Sequence, residues 1–155
     1  MKKSSFLIVA DRGNLKAFRL GQATPERGPR LELVQAFSIV SAHQKLGDML
    51  TDQAGRFPVG STPGMSQGRH QNAISESNID LETDRRIQKE LAGHIETILK
   101  QEQPATWAFA APSEINRAVL DKVPPALVAK LVENVSADLV NAQVKELAGH
   151  FESVR

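Results

Sequence analysis

The first apolar run of the chain, Phe6-Leu7-Ile8-Val9-Ala10, is unbroken and rich in residues that favour strands, and it stops at the turn formers Asp11-Arg12-Gly13-Asn14. Lys2 and Lys3 stand before it, but the run is too short for a secretion signal or a membrane span, so it reads as a buried strand. From Leu15 to Leu20 the pattern alternates, with Lys16, Phe18 and Leu20 on one face. Phe6 to Leu20 is therefore predicted to be a hairpin, at the edge of a sheet. After the turn-rich residues 21–30, alternation returns at Leu31 and Leu33 and again at Phe37 and Ile39. A third strand over 31–40 follows, and an antiparallel meander is the simplest pairing.

The periodicity then disappears. From Asp52 to Asn78 the chain is rich in Gly, Pro, Ser, Gln and Asn, with Pro58, Gly60, Pro63, Gly64 and Gly68 interrupting any repeat, which predicts a long irregular connection. A helical period takes over at Ile87, Leu91, Ile95 and Ile98. Asp80, Glu82 and Asp84 suit the positive start of a helix and Lys100 its end, so a helix is predicted from about Glu82 to Lys100.

Thr106 to Ala111 is a buried strand, Ser113 is a candidate cap for a short helix through Leu120, and Pro124-Pro125 opens a further helical turn. Leu131 to Val135 is the last strand expected. Asn141 to Val154 reads as a closing helix with Val144, Leu147, Phe151 and Val154 inward. The expected core includes Val9, Phe18, Ile87, Leu91, Ile95, Phe109, Leu147 and Phe151. This succession predicts an α/β fold, a single mixed β-sheet with packed helices. Strands joined through helices should pair in parallel by right-handed crossovers, in a ribonuclease-H-like layout.

With 155 residues the chain has the size of one domain, residues 1–155. Nineteen Lys and Arg against 18 Asp and Glu leave a net charge of +1, too little for a long-range field, so any site for an anion must be local. The absence of cysteine excludes a disulfide framework, a thiolate nucleophile and a thiolate zinc site, and fits a reducing cytoplasm. No membrane partner is expected.

Lys89-Glu90-Leu91-Ala92-Gly93-His94-Ile95-Glu96 returns almost unchanged as Lys145-Glu146-Leu147-Ala148-Gly149-His150-Phe151-Glu152. The likeness ends at once on either side, which excludes a solenoid. Neither segment has two histidines four apart, the spacing that sets two ligands on one helix face, so no metal and no cofactor is expected. The segments read instead as amphipathic helices whose Ala and Gly permit close approach to the sheet, with histidines at the solvent edge. Gly64-Met65-Ser66-Gln67-Gly68 fits G-x-S-x-G, with Asp138 and His150 following in hydrolase order, but loop-like residues replace the strand and helix that a nucleophile elbow requires. Asp11 stands where ribonuclease-H-like nucleases carry a metal-binding carboxylate, and it also suits a hairpin turn.

Several short segments together resemble the bacterial host-attachment protein family: Val9-Ala10-Asp11-Arg12 leading into Lys16-Ala17-Phe18, then Gly68-Arg69-His70, Ala110-Ala111-Pro112, and Asp138-Leu139. That family is similar in fold to the central domain of archaeal and eukaryotic peptide-release factors and of the ribosome-rescue protein Pelota. The resemblance implies a loop, between the third strand and the long helix, that reaches the translation machinery. In release factors that loop carries Gly-Gly-Gln; here Gln67 follows Ser66, so the backbone freedom of paired glycines is not reproduced and peptide release is not expected. No acidic residue lies between Gln53 and Ser75. Arg56, Gln67, Gly68, Arg69 and His70 are therefore the candidate partner- or phosphate-binding residues, with ribosome or RNA as the expected partner. The chain is expected to be an intracellular binding module rather than an enzyme. The alternative is a small hydrolase or metal-dependent nuclease.

Overall fold

The structure, a computed structural model, describes residues 2–24, 26, 28–43 and 65–154. Strands β1 (Phe6–Ala10), β2 (Asn14–Thr24) and β3 (Gly28–Ser38) form the antiparallel meander. β4 (Trp107–Ala111) runs parallel to β1, and β5 (Leu131–Ser136) parallel to β4. The result is one five-stranded mixed sheet in the order β3-β2-β1-β4-β5. It is the α/β arrangement expected, with the strand order of a ribonuclease-H-like layout.

The first hairpin is not at the edge. Leu7 pairs with Phe18 on one side and with Ala108 on the other, which makes β1 the central strand. The reason lies in its composition, because a strand apolar at every position needs cover on both faces. Edge duty falls to β3, whose residues are half-buried or exposed, including Leu33 at 52% exposure.

On one face of the sheet, Phe6, Ile8, Trp107 and Phe109 pack with Ile87, Leu91, Ile95 and Ile98. These last belong to helix α2 (Met65–Glu102), which follows the four-residue α1 (Val40–His43) in the described chain. On the opposite face, Leu7, Val9, Phe18, Ala108 and Ala110 pack with Leu139, Leu147, Phe151 and Val154. All eight residues expected in the core are buried.

Helix α2 starts well before Glu82 and takes in residues 65–78, which the composition had marked as irregular. No proline occurs between Pro63 and Pro104, so nothing in this stretch removes an N–H from the helical ladder. Its end is sharp: Gln103 adopts a left-handed φ of 47° and donates its N–H to the Leu99 carbonyl, and Pro104 follows.

Helix α3 (Ser113–Asp121) begins one residue earlier than expected. Pro112 holds the cap position with no side-chain cap bond, so Ser113 is the first helical residue and not the cap. A short turn, α4 (Pro125–Val128), leads into β5.

The closing segment is a larger departure. Only α5 (Val144–Leu147) and a 3-10 turn at Ala148–His150 are helical, and Phe151 is already extended at φ −125°. The N–H groups of Glu152 and Ser153 go to the Glu133 carboxylate rather than to carbonyls one turn back, and Ser153 bonds Ser4 through both its carbonyl and its hydroxyl. Leu147, Phe151 and Val154 are buried as expected, whereas Val144 is 47% exposed. Among the described residues, no helix is long and apolar enough to cross a membrane.

Candidate functional site

Of the residues singled out by sequence, Arg56 lies outside the described residues. Gln67, Gly68, Arg69 and His70 fall in the first two turns of α2, so this part of the segment is helical backbone rather than loop. Ser66 is likewise a helical residue of α2, which is not the conformation of a nucleophile elbow.

The carboxyl ends of β1, β4 and β5, where sheets with parallel strands place ligand crevices, enclose a cleft of about 670 Å³. Its walls come from the turn Asp11–Asn14, the β4–α3 junction Pro112–Ile115 and the residues Ser136–Asp138 that follow β5. Glu114 and Asp138 thus join Asp11 around one opening, a convergence that the sequence alone did not assign. The sole signal available was that each follows the end of a strand.

Asp11 itself is engaged in the turn. Its Oδ1 accepts the N–H groups of Gly13 at 2.8 Å and Asn14 at 2.7 Å, as an Asx turn requires. Among the described residues no three His, Asp or Glu side chains are grouped so as to hold a metal ion. The guanidinium of Arg12 turns away to Asp84 on α2, at 2.5 Å. That ion pair ties the cleft turn to the long helix.

The outer face of α2 next to that tie is basic. Leu81, Glu82, Arg85, Arg86 and Lys89 border a groove of about 500 Å³, and all five are exposed. Glu82 is taken up by Arg86 at 3.0 Å and Asp84 by Arg12. Arg85 and Lys89 have no carboxylate partner among the described residues.

One turn further along, Glu90 joins α2 to α1. Its carboxylate accepts the N–H of Val40 at 2.7 Å, the N–H of Ser41 at 3.1 Å and the Ser41 hydroxyl at 2.9 Å, and so caps α1 from a distance of fifty residues in sequence. Burial alone would raise its pKa, but the bonds from Ser41 and Val40, with His94 3.7 Å away, outweigh that and hold the group below the ordinary glutamate value. His94 is not simply at the solvent edge, since its ring stacks on Phe37 with centroids 4.4 Å apart. His150 is exposed. The two glycines of the repeated motif do not bring helix and sheet together either. Gly93 and Gly149 are exposed, and a Cβ built on either would meet nothing within 4 Å.

No curated protein is similar enough to the chain to match it. Residues 6–151, which include the meander, α2, the cleft and the closing segment through Phe151, match the family described as protein required for attachment to host cells, and the chain belongs to that family.

Proposed function

We propose that this chain is an intracellular RNA-binding module that contacts the ribosome or tRNA through residues 53–72, with Arg56, Arg69 and His70 as its cationic and donor groups, and that it does not release peptides. The observation that carries this reading is the composition of the segment: no carboxylate between Gln53 and Ser75 in a chain of net charge +1, and two arginines, Arg56 and Arg69, within it. The likeness to release-factor central domains supports the same region, which runs from the chain that follows the third strand into the first two turns of the long helix. Ser66 before Gln67 argues against release chemistry, which in those factors uses two glycines. The requirement in host attachment then follows indirectly, from what the bound partner does inside the cell.

The test is co-sedimentation with ribosomes at low and high salt, beside direct binding of purified ribosomal RNA. The wild-type chain binds at low salt and loses affinity as salt rises. Arg56→Ala with Arg69→Ala weakens binding and flattens its salt dependence by about two phosphate contacts' worth, roughly 0.7–0.9 in slope for each. A wild-type chain that binds neither ribosomes nor RNA at low salt ends this reading. The competing reading is a small hydrolase or metal-dependent nuclease working in the cleft lined by Asp11, Glu114 and Asp138, although these three are not grouped as a set of metal ligands. Divalent-metal-dependent RNA turnover that is lost in Asp138→Asn would favour it.

A further inference from the structure

We infer that the outer face of α2 from Arg85 to Gly93 is a second docking strip, shaped for the phosphate backbone of single-stranded RNA. This rests on the RNA-binding reading above and extends it along the same helix. At ~1.5 Å per residue the strip begins roughly 24 Å along the helix from Arg69, so the two basic regions are separate contacts on one helix.

The charge balance of the strip is what selects an anion. Among the described side chains, the carboxylates of this stretch are already engaged: Glu82 with Arg86, Asp84 with Arg12, and Glu90 with Val40 and Ser41. Arg85 and Lys89, four residues apart, share the exposed side of the helix and have no such partner among the described residues. A planar guanidinium offers paired donors that match two phosphate oxygens, and the ammonium of Lys89 adds a point charge beside it.

Gly93 supplies an independent observation. It sits in the middle of a 38-residue helix, where glycine is unfavourable, and no packing demands it, because a Cβ there would meet nothing within 4 Å. One turn beyond Lys89, it leaves the exposed side of the helix without a side chain, with Lys89 before it and, one turn on, Thr97, whose hydroxyl donates to the Gly93 carbonyl, and Glu96, which Lys100 holds. A sugar-phosphate chain can lie close to the helix at that point. The groove beside the strip has a single exposed apolar residue, Leu81, which is too little for the apolar centre of a protein interface and favours the nucleic acid backbone.

The experiment measures binding of a single-stranded oligouridylate over a range of salt, for the wild-type chain, for Arg85→Ala with Lys89→Ala, and for Gly93→Gln. All three replacements are at exposed positions, and thermal unfolding checks that each variant folds. The double variant is expected to flatten the slope of log affinity against log salt by about 1.4, two single-strand phosphate contacts. Gly93→Gln is expected to raise the unfolding midpoint by roughly 1–3 °C, since glutamine is the better helix former, and yet to bind more weakly. A purely structural glycine would give the first effect without the second. If the wild-type chain binds and both variants match it in affinity and salt slope, the strip is overturned while the RNA reading stands. If the wild-type chain binds no RNA at all, the reading beneath it fails, and the strip with it.

Discussion

Single positions in this chain are decided by what surrounds them more than by residue type. Asp11 follows a buried strand at the mouth of a cleft, where a metal-binding carboxylate would be expected, yet two backbone N–H groups occupy its Oδ1 and make it the keystone of a turn. Gln103 takes a left-handed φ of 47°, which glycine adopts at less cost, and in doing so ends α2. Leu91 shows the opposite case, where pattern and environment agree. It lies in the centre of the apolar stripe of α2, is fully buried, and packs among the side chains of β1 and β4. Leu91→Ala removes its outer carbons from a close-packed site and is expected to cost about 2–5 kcal/mol, the spread reflecting how far the neighbours relax. Urea unfolding reads this directly. A loss under about 1 kcal/mol would mean that this face of the helix is not core.

At the scale of elements, legibility tracked how fully a segment is buried. β1, β4 and the stripe of α2 were readable because burial on one or two faces leaves a pattern in the residues themselves. The start of α2 was not readable, since residues 65–80 carry no apolar stripe and their Ser, Gln, Asn and Gly composition is that of a loop. The closing segment misled for another reason. Its helical spacing is real, but the N–H groups that would continue the helix are taken by Glu133, over a separation that sequence periodicity does not register. The candidate site divides in the same way: the acid-free run with Arg69 is visible in the residues, whereas the cleft and the Glu90 clamp exist only through contacts distant in sequence. That clamp carries its own prediction. Because the Glu90 pKa is depressed in the folded chain, the stabilisation it gives is present above the ordinary glutamate value and is lost as pH falls through the lower, folded value. Glu90→Gln keeps the shape but removes the charge and one of the two acceptor oxygens. It should cost about 1–2 kcal/mol near neutral pH and less in acid, where the wild-type group is itself protonated. Equal loss at both pH values would show that the charge of Glu90 does not matter to the clamp.

The whole molecule is a sheet covered on two sides by material of different kinds, helices α2 and α3 on one face and a mostly irregular C-terminal segment on the other. β1 and β4 point alternate residues into each cover: Phe6, Ile8, Trp107 and Phe109 towards the helices, Leu7, Val9, Ala108 and Ala110 towards the C-terminal segment. Strands buried on both faces transmit loss of either cover to the other, because neither set of side chains keeps its place once the backbone between them is free. The chain should therefore unfold as one unit, although its layers lie far apart in sequence. Phe151, fully buried in the C-terminal cover, tests this. Phe151→Ala should cost about 3–5 kcal/mol. Trp107, the single tryptophan, faces the helical layer and donates its indole N–H to the Leu127 carbonyl at 2.7 Å, so its fluorescence reports on the side away from the substitution. In denaturant, the Trp107 transition and the far-ultraviolet circular dichroism of Phe151→Ala are expected to shift together to the same lower midpoint. A variant whose circular dichroism signal falls in part while Trp107 keeps its wild-type midpoint would show that the C-terminal cover comes away alone, and that the helical face with its basic strip persists without it.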